Sequence, residues 1–538
     1  MPRNLTRRSF VHQAAAASAL ALAPFGRVIG QVRFSSYPFK LGVASGDPAA
    51  DGFVIWTRIA PEPLEPEQLG RVTFEVDWEV AEDASFQRIA ARGQAFAPAH
   101  LAHSVHVEVG GLQPAREYFY RFRLGRYESP AGRALTTPAA GSMPEALRFA
   151  FCSCAHYEHG FFSAYRYMAD DRPDLIVELG DYIYEDGYGE RRVRLFDRRE
   201  AITLADYRGR YAQYRTDPDL QAAHEACPWL VTWDDHEVDN DYAGLTGEHE
   251  ACGGEAVRAS FPHRRAAAYQ AWFEHMPVRP SRLRAGAAVQ VYGALDWGQL
   301  ARFYLLDTRQ YRSPQACPRE ATWTRCDAER GSKLLFIGAG GGRLIEPGDP
   351  SCKAEVEDPA RTMLGAEQER WLDDALAASG ARWNVLAQSI AVAPIFEGTP
   401  ERPQVYSDAW AAYPAARDRL LQALARHKVA NPLFLAGDIH AFFMNEVRNE
   451  RSVPVALEFI TSSIATNTTD KSKVLHLNPH IQFHDGKHSG YVRCDVGADR
   501  LRADFVAVED IRDPRTARSV LASFEVAAGK PQARRIDP

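Results

Sequence analysis

Four kinds of pattern are missing from this 538-residue chain. There is no long run of one charge sign: 63 Lys and Arg stand against 70 Asp and Glu, for a formal charge of −7. That balance excludes a strongly basic surface, so neither a stable nucleic-acid partner nor an anionic membrane is expected. Beyond the first 25 residues no apolar stretch approaches the ~20 residues of a membrane-spanning helix, so an integral membrane protein is not expected either. The fingerprints of several enzyme classes are also absent. No Gly-x-Ser-x-Gly elbow, P-loop or dinucleotide motif occurs. Gly338-Ala339-Gly340-Gly341-Gly342 lacks the Lys and Ser or Thr that a phosphate cradle needs, and reads as loop. There is no internal repeat.

What is present is an ordinary globular balance, with 46% hydrophobic and 25% charged residues, which excludes a disordered regulator. At roughly 100–200 residues per domain the length suits two to four domains. The chain opens with Arg7-Arg8-Ser9-Phe10-Val11, an Ala/Leu-rich run from Ala14, and Ala21-Leu22-Ala23. That reads as a twin-arginine export signal over 1–30 with a small-x-small cleavage site. The expectation is a bacterial periplasmic or secreted protein that passes through the Tat export machinery. This route carries folded proteins, which favours a metal site formed before export.

From 38 to 138 the texture is short period-two runs such as Phe53-Val54-Ile55-Trp56-Thr57-Arg58 and Glu117-Tyr118-Phe119-Tyr120-Arg121-Phe122. These are strand signals. Leu112-Gln113-Pro114 ahead of a Tyr-rich strand resembles the tyrosine corner of an immunoglobulin- or fibronectin-like sandwich. After a linker ending at Pro144, residues 145–538 alternate buried strand runs with helical stretches. Strands are predicted at Leu147–Cys152, Leu175–Leu179, Trp229–Trp233, Leu300–Leu306, Trp383–Ala387 and Pro432–Ala436, and helices at 366–378 and 414–427. The fold class is a layered α/β (α+β) domain preceded by an all-β sandwich.

Metal-ligand residue types stand directly after the buried strands, where open α/β sheets build their sites. They fall in Phe151-Cys152-Ser153-Cys154-Ala155-His156, Gly180-Asp181-Tyr182-Ile183-Tyr184-Glu185, Asp234-Asp235-His236-Glu237 and Gly437-Asp438-Ile439-His440. A carboxylate after a glycine can bridge two cations, and phenolate, thiolate and imidazole suit a highly charged metal such as Fe(III). Together they predict a dinuclear or larger metal centre able to grip a phosphoryl group.

The order GDxxY, DHE and GDxH resembles the calcineurin-like metallophosphoesterase superfamily, and Tyr184 is similar to the purple acid phosphatases. FCSCAHYEHGFF (151–162), ELGDYIYE (178–185), VTWDDHEVDNDYAG (231–244), LLDTRQYR (305–312) and LAGDIHAFF (435–443) look like PhoD-type alkaline phosphatases, whose N-terminal sandwich matches LGVASGDPAADGFVIWTR (41–58). The resemblance implies two stacked mixed β-sheets flanked by helices. It implies Fe(III) on Cys154, Asp181, Tyr184 and His440, with Asp181 bridging to a Ca2+ that Asp235 and Asp438 also bind. His236 would touch a phosphoryl oxygen or protonate the leaving alkoxide, while a metal-bridging hydroxide attacks in line. Tyr157, His159 and Asn240 are expected to meet substrate, with His156 beside them; Asn240 is also a candidate ligand.

Two positions depart from the family pattern. The superfamily's remaining metal histidine has no clear counterpart, Gln388 being the candidate by position, and no arginine stands near His488 in 483–491. The implied substrates are small phosphate esters, diesters and also monoesters, including phospholipid- or nucleotide-derived diesters. A nuclease or phospholipase-type diesterase would share every ligand. From another class, a non-catalytic secreted binding protein would keep the metal only as a structural element.

The 8 cysteines of an exported chain would ordinarily be read as paired. A metal thiolate at Cys154 leaves an odd number, so at least one other thiol stays free. Cys317–Cys326 is the expected local disulfide, with Cys352 as competitor.

Overall fold

The computed structural model describes residues 27–28, 33–65, 69–189, 191–198, 200–247, 250–284, 288–317 and 342–536. The expected export signal lies outside the described residues apart from 27–28, as does Cys326.

The buried apolar runs form parallel strands in two sheets. In the first, Leu147–Ala155, Leu175–Glu178 and Pro228–Val231 lie parallel. Ser489–Val496, Arg500–Val508, Arg518–Ala527 and Ala533–Ile536 extend that sheet antiparallel on one flank. In the second, Ala301–Leu305, Trp383–Ala387, Pro432–Ala436 and Pro454–Ile460 are parallel, and antiparallel Gly293–Trp297, Phe442–Arg448 and Ile481–Asp485 join them. Strands covered on both faces need apolar residues on both, which is why these segments read as near-continuous hydrophobic runs.

Strand alternation then sorts the side chains. Leu147, Phe149 and Phe151 share one core with Phe303, Leu305, Val385 and Leu435 of the second sheet, and the Phe149 and Phe303 rings meet edge-on at 5.2 Å. Ala150 and Cys152 belong instead to the core with Tyr165 and Met168 of Ser163–Asp170, Tyr211 of Leu204–Arg215 and Trp272 of Glu250–His275. Beside the second sheet, Leu372 and Leu376 of Gly365–Ala377 and Leu420 and Leu424 of Pro414–Arg426 pack with Tyr304, Leu386 and Phe434. Each such side chain contributes about 1.5–3 kcal/mol on burial. Mixed sheets flanked by helices are thus the architecture.

The N-terminal part is rich in strands. Thr73–Ala81, Ile89–Ala97, Glu117–Leu124 and Gly132–Leu135 lie in one sheet. Phe74, Val76, Tyr118 and Tyr120 from it share a core with Phe53, Ile55 and Val107. The latter lie on Gly52–Arg58 and Ser104–Val109, which pair antiparallel in series with Val43–Ala49; that strand in turn joins the first sheet of the main body, pairing parallel with Pro228–Val231, Ser45 opposite Pro228 and Gly46 opposite Trp229. An 11-stranded sheet therefore crosses the chain division expected at 138–145. Asp47, at the irregularity that follows Gly46 within Val43–Ala49, seals the junction. Its carboxylate accepts from Arg282 Nη2 at 2.7 Å and Nε at 2.8 Å, and from the Arg279 amide at 2.9 Å.

The disulfide expectation needs correction. Cys317 is bonded to Cys352, with Cα atoms 5.3 Å apart, rather than to Cys326. The Cys317 amide donates to Glu355 Oε2 at 2.7 Å, and Glu355 sits in the short helix Lys353–Val356 that directly follows Cys352. That contact brings the two cysteines into reach. Cys152, Cys154, Cys227 and Cys494 are free and buried.

Candidate metal centre

Donor atoms from four strand ends gather in three groups, each within 4.8 Å: Cys154, Asp181 and His440; Asp181, Asp235 and His236; Asp234, Asp235 and Asp438. Asp181 belongs to the first two groups and Asp235 to the last two, so the groups form a row with shared carboxylates.

Local backbone geometry aims these side chains. Cys154, Asp181, Asp438 and His440 all have positive φ, at 62°, 55°, 64° and 57°. For residues with a Cβ this left-handed conformation costs about 1–2 kcal/mol each. Its concentration here is the kind of stored strain that marks functional sites. It also resolves the two neighbouring cysteines. In a regular strand Cys152 and Cys154 would share a face, but the flip at Cys154 ends the alternation. Cys152 Sγ donates to Glu178 Oε2 at 3.0 Å, while Cys154 turns to Asp181 and His440. Gly180, at φ +111°, allows the loop after Leu175–Glu178 to touch the loop after Pro228–Val231; a Cβ there would lie 2.3 Å from the Asp234 amide nitrogen.

Glu237 clips these two loops together. Its Oε2 accepts from the amides of Asp181 (3.0 Å) and Asp234 (2.8 Å), and its Oε1 from Tyr182 (2.7 Å). Arg309, from the loop after Ala301–Leu305, is fully buried behind the centre. It donates through Nε to Asp234 at 2.5 Å, pairs through Nη1 with Asp408 at 2.7 Å, and lies 3.4 Å from Asp235 through Nη2. From sequence Asp234 and Glu237 stand only within the run Asp234-Asp235-His236-Glu237 and Arg309 only within 305–312, none with a role of its own. A third acid beside Asp235 and an arginine after a buried strand were the available signals.

Tyr184 is buried, its hydroxyl 3.1 Å from Asp181 Oδ2 and 3.1 Å from His440 Nε2. Burial, reinforced by Asp181 and Cys154, pushes its phenol well above the usual range. Burial first, and then Asp181, does the same to the Cys154 thiol. Burial lowers His440 to about 4, so its ring is neutral and suited to bind a cation. His236 goes the other way. Burial alone would lower it, but Glu185, Asp235 and Asp181 raise it well above 6.5. Its Nδ1 lies 2.7 Å from Glu185 Oε2 and its ring 4.2 Å from that of Tyr184.

The remaining expected residues have other surroundings. His159 is buried with both ring nitrogens engaged, Nδ1 with Thr466 Oγ1 at 2.8 Å and Nε2 with the Tyr188 carbonyl at 2.7 Å. Tyr157 is packed under the Arg194 guanidinium at 3.8 Å and against Phe196 and Tyr214. Asn240 donates its amide to Glu185 and its side-chain Nδ2 to Asp241, while the Asp241 amide donates to Asp235 Oδ2 at 2.6 Å. Gln388 is buried with its oxygen accepting from Trp410 Nε1 at 3.1 Å and its nitrogen donating to the Ile390 carbonyl. His488 pairs with Asp485 at 3.0 Å.

The donor set fits cations. Asp234 Oδ2 and Asp235 Oδ1 are buried without a hydrogen-bond partner among the described residues. Burial and mutual repulsion raise Asp181 and Asp438 well above the ordinary carboxylate range, and Asp234 to about 6. So many buried acids remain ionised together only when a positive charge sits among them. Arg309 supplies part of it, and the three donor groups are of the kind that holds cations.

The family model described as PhoD-like phosphatase matches residues 149–505, and that of its N-terminal domain matches residues 23–138. Alkaline phosphatase D of Bacillus subtilis (strain 168) is 42% identical over 540 residues, spanning 96% of this chain and 87% of that protein. A solved structure described as PhoD superposes with a TM-score of 0.85 at 41% identity, covering 94% of this chain and 93% of that one. A purple acid phosphatase from yellow lupin (Lupinus luteus) seeds shares the fold at a TM-score of 0.50 and 12% identity, over 90% of this chain and 73% of its own.

Proposed function

This chain belongs to the PhoD-like phosphatase family and is a phosphatase hydrolase; from that premise we propose that it hydrolyses phosphodiesters, and phosphomonoesters as well, at a two-cation centre. The observation that carries the reading is the row of donor groups sharing Asp181 and Asp235. Shared carboxylates hold two cations close enough to act on one phosphoryl group.

In this reading Cys154, Asp181, Tyr184 and His440 would hold Fe(III), and Asp181, Asp235 and Asp438 would hold Ca2+, with Asp234 Oδ2 able to add an oxygen. Such a pair would supply an acidified water and neutralise charge on the phosphoryl oxygens. The chain's own groups do the rest. Glu185 fixes the His236 ring through Nδ1 and keeps it cationic, which leaves Nε2 to donate to a phosphoryl oxygen or to the departing alkoxide. Glu237 and Arg309 keep the carboxylates aimed before any substrate arrives. Asp234, Asp235 and Asp438 are too crowded to accept another anionic group without a cation between them.

We also propose export through the Tat machinery to the periplasm or beyond, on the strength of Arg7-Arg8-Ser9-Phe10-Val11 and the following Ala/Leu run. The chain divides functionally at 138–145. The N-terminal strands are read as an immunoglobulin-like sandwich, supported by the Tyr118 hydroxyl, which accepts from the Gln113 amide at 3.0 Å as in a tyrosine corner.

The test is an assay of a phosphodiester and a phosphomonoester under identical metal loading, on wild type and His236→Ala. The reading expects turnover of both in the wild type, with the diester preferred. In the variant it expects kcat down about 100-fold or more with bound metal nearly unchanged. Loss of metal from His236→Ala would place that residue among the ligands instead.

A further inference from the structure

Resting on the phosphoesterase reading above, we infer that Tyr188 is a specificity-determining residue: a fixed platform on which a planar aromatic group of the leaving alcohol stacks. Among the described residues Tyr188 is one of the few large apolar side chains left exposed, at 36%, and it borders the centre. Its ring lies 5.9 Å from that of Tyr184 and 6.4 Å from that of His236, only 22° from parallel to the latter.

An exposed tyrosine on a loop would ordinarily be free to rotate, but this one is braced. The rings of His156 and His159 stack on each other at 3.7 Å, and both meet the Tyr188 ring edge-on, at 4.7 and 4.8 Å. His159 also engages the Tyr188 carbonyl at 2.7 Å and, through Nδ1, Thr466 Oγ1 at 2.8 Å; that oxygen lies 3.2 Å from the Tyr188 hydroxyl. Neither histidine is in any of the three donor groups. Two buried imidazoles, costly to place there, thus serve to hold one solvent-exposed ring.

A ring already immobilised loses little entropy when a ligand packs on it, which is why rigid aromatics make efficient contacts. Its position decides which part of the substrate it meets. Tyr188 stands beside His236; where His236 serves as proton donor to the departing oxygen, the second of its two roles above, the group Tyr188 meets is the one carried by that oxygen. A flat ring stacks better there than an alkyl chain because offset aromatic pairs gain beyond their buried area.

Calorimetric binding of phenylphosphonate, cyclohexylphosphonate and methylphosphonate to the metal-loaded full chain tests this without relying on turnover. The wild type should bind the phenyl compound about tenfold more tightly than the methyl one, with cyclohexyl between them. Tyr188→Ala should erase the phenyl preference and leave methylphosphonate within about twofold, while Tyr188→Phe keeps most of the preference. Equal weakening of all three in Tyr188→Ala, a phenyl preference that survives it, cyclohexyl binding as tight as phenyl, or no phenylphosphonate binding to the wild type would each overturn the inference. Failure of the phosphoesterase reading would show separately, as metal-loaded wild type that turns over no phosphate ester.

Discussion

Nδ1 of His236 and Oε2 of Glu185 lie 2.7 Å apart, almost shut off from solvent, with side-chain exposures of 14% and 6%. The pair joins two loops from neighbouring strands of the first sheet and sets the charge of the only histidine in the centre that is driven upward. A raised value means that the imidazolium is present below it and is lost as pH rises through it.

Glu185→Gln keeps the hydrogen bond but removes the charge. The His236 value should fall, and the alkaline limb of the kcat–pH profile should move to lower pH, with turnover on that limb down about tenfold. Metal content should stay level, because Glu185 is in none of the donor groups. A profile with an unmoved alkaline limb would exclude His236 as the proton donor.

Arg309 is enclosed by Asp234, Asp235 and Asp408. Arg309→Met leaves those acids without their buried counter-charge, so the metal-free protein should lose about 3–5 kcal/mol of stability. Added cations should recover part of that loss, because they meet the same carboxylates. Chemical denaturation with and without metal reads both effects. An equal loss in the two states would mean that Arg309 acts on packing alone.

Asp47 ties the N-terminal strands to the main body, and Arg282 and Arg279 hold its carboxyl below the ordinary value against the effect of burial. A depressed value contributes stability that is complete above the unfolded value of about 3.9 and lost as pH falls through the folded one. Asp47→Asn should therefore cost about 3 kcal/mol at pH 7, and the difference from wild type should shrink as the pH approaches that depressed range. A gap that is constant from pH 7 to pH 3 would contradict the ionic origin.

Much of the centre was legible because ligand types followed buried runs. Strand ends at Ala155, Glu178, Val231 and Ala436 stand close to Cys154, Asp181, Asp235 and Asp438, and an apolar run followed by Gly-Asp is a local signal. What escaped is not local. The left-handed turns at Cys154 and His440 are favoured only once packing and ligands over-determine them. The clasp of Glu237 on Asp181 spans 56 positions and that of Arg309 on Asp234 spans 75, distances over which no periodicity speaks. The same holds for Ser45 against Pro228, which merges two regions that composition separates, and for Cys317, whose partner across the insertion was the more distant candidate. The partners of His159, Thr466 and the Tyr188 carbonyl, lie 307 and 29 positions away and are equally silent in the sequence.

The central claim is that Cys154, Asp181, Tyr184 and His440 hold Fe(III) at a centre on which turnover depends. The visible absorption spectrum of the active protein, compared with that of Tyr184→Phe, tests it most directly, because thiolate and phenolate bound to ferric iron give charge-transfer bands. The account predicts a coloured wild type whose band weakens or shifts when the phenol oxygen is removed. A colourless, iron-free protein with full phosphoesterase activity would contradict it.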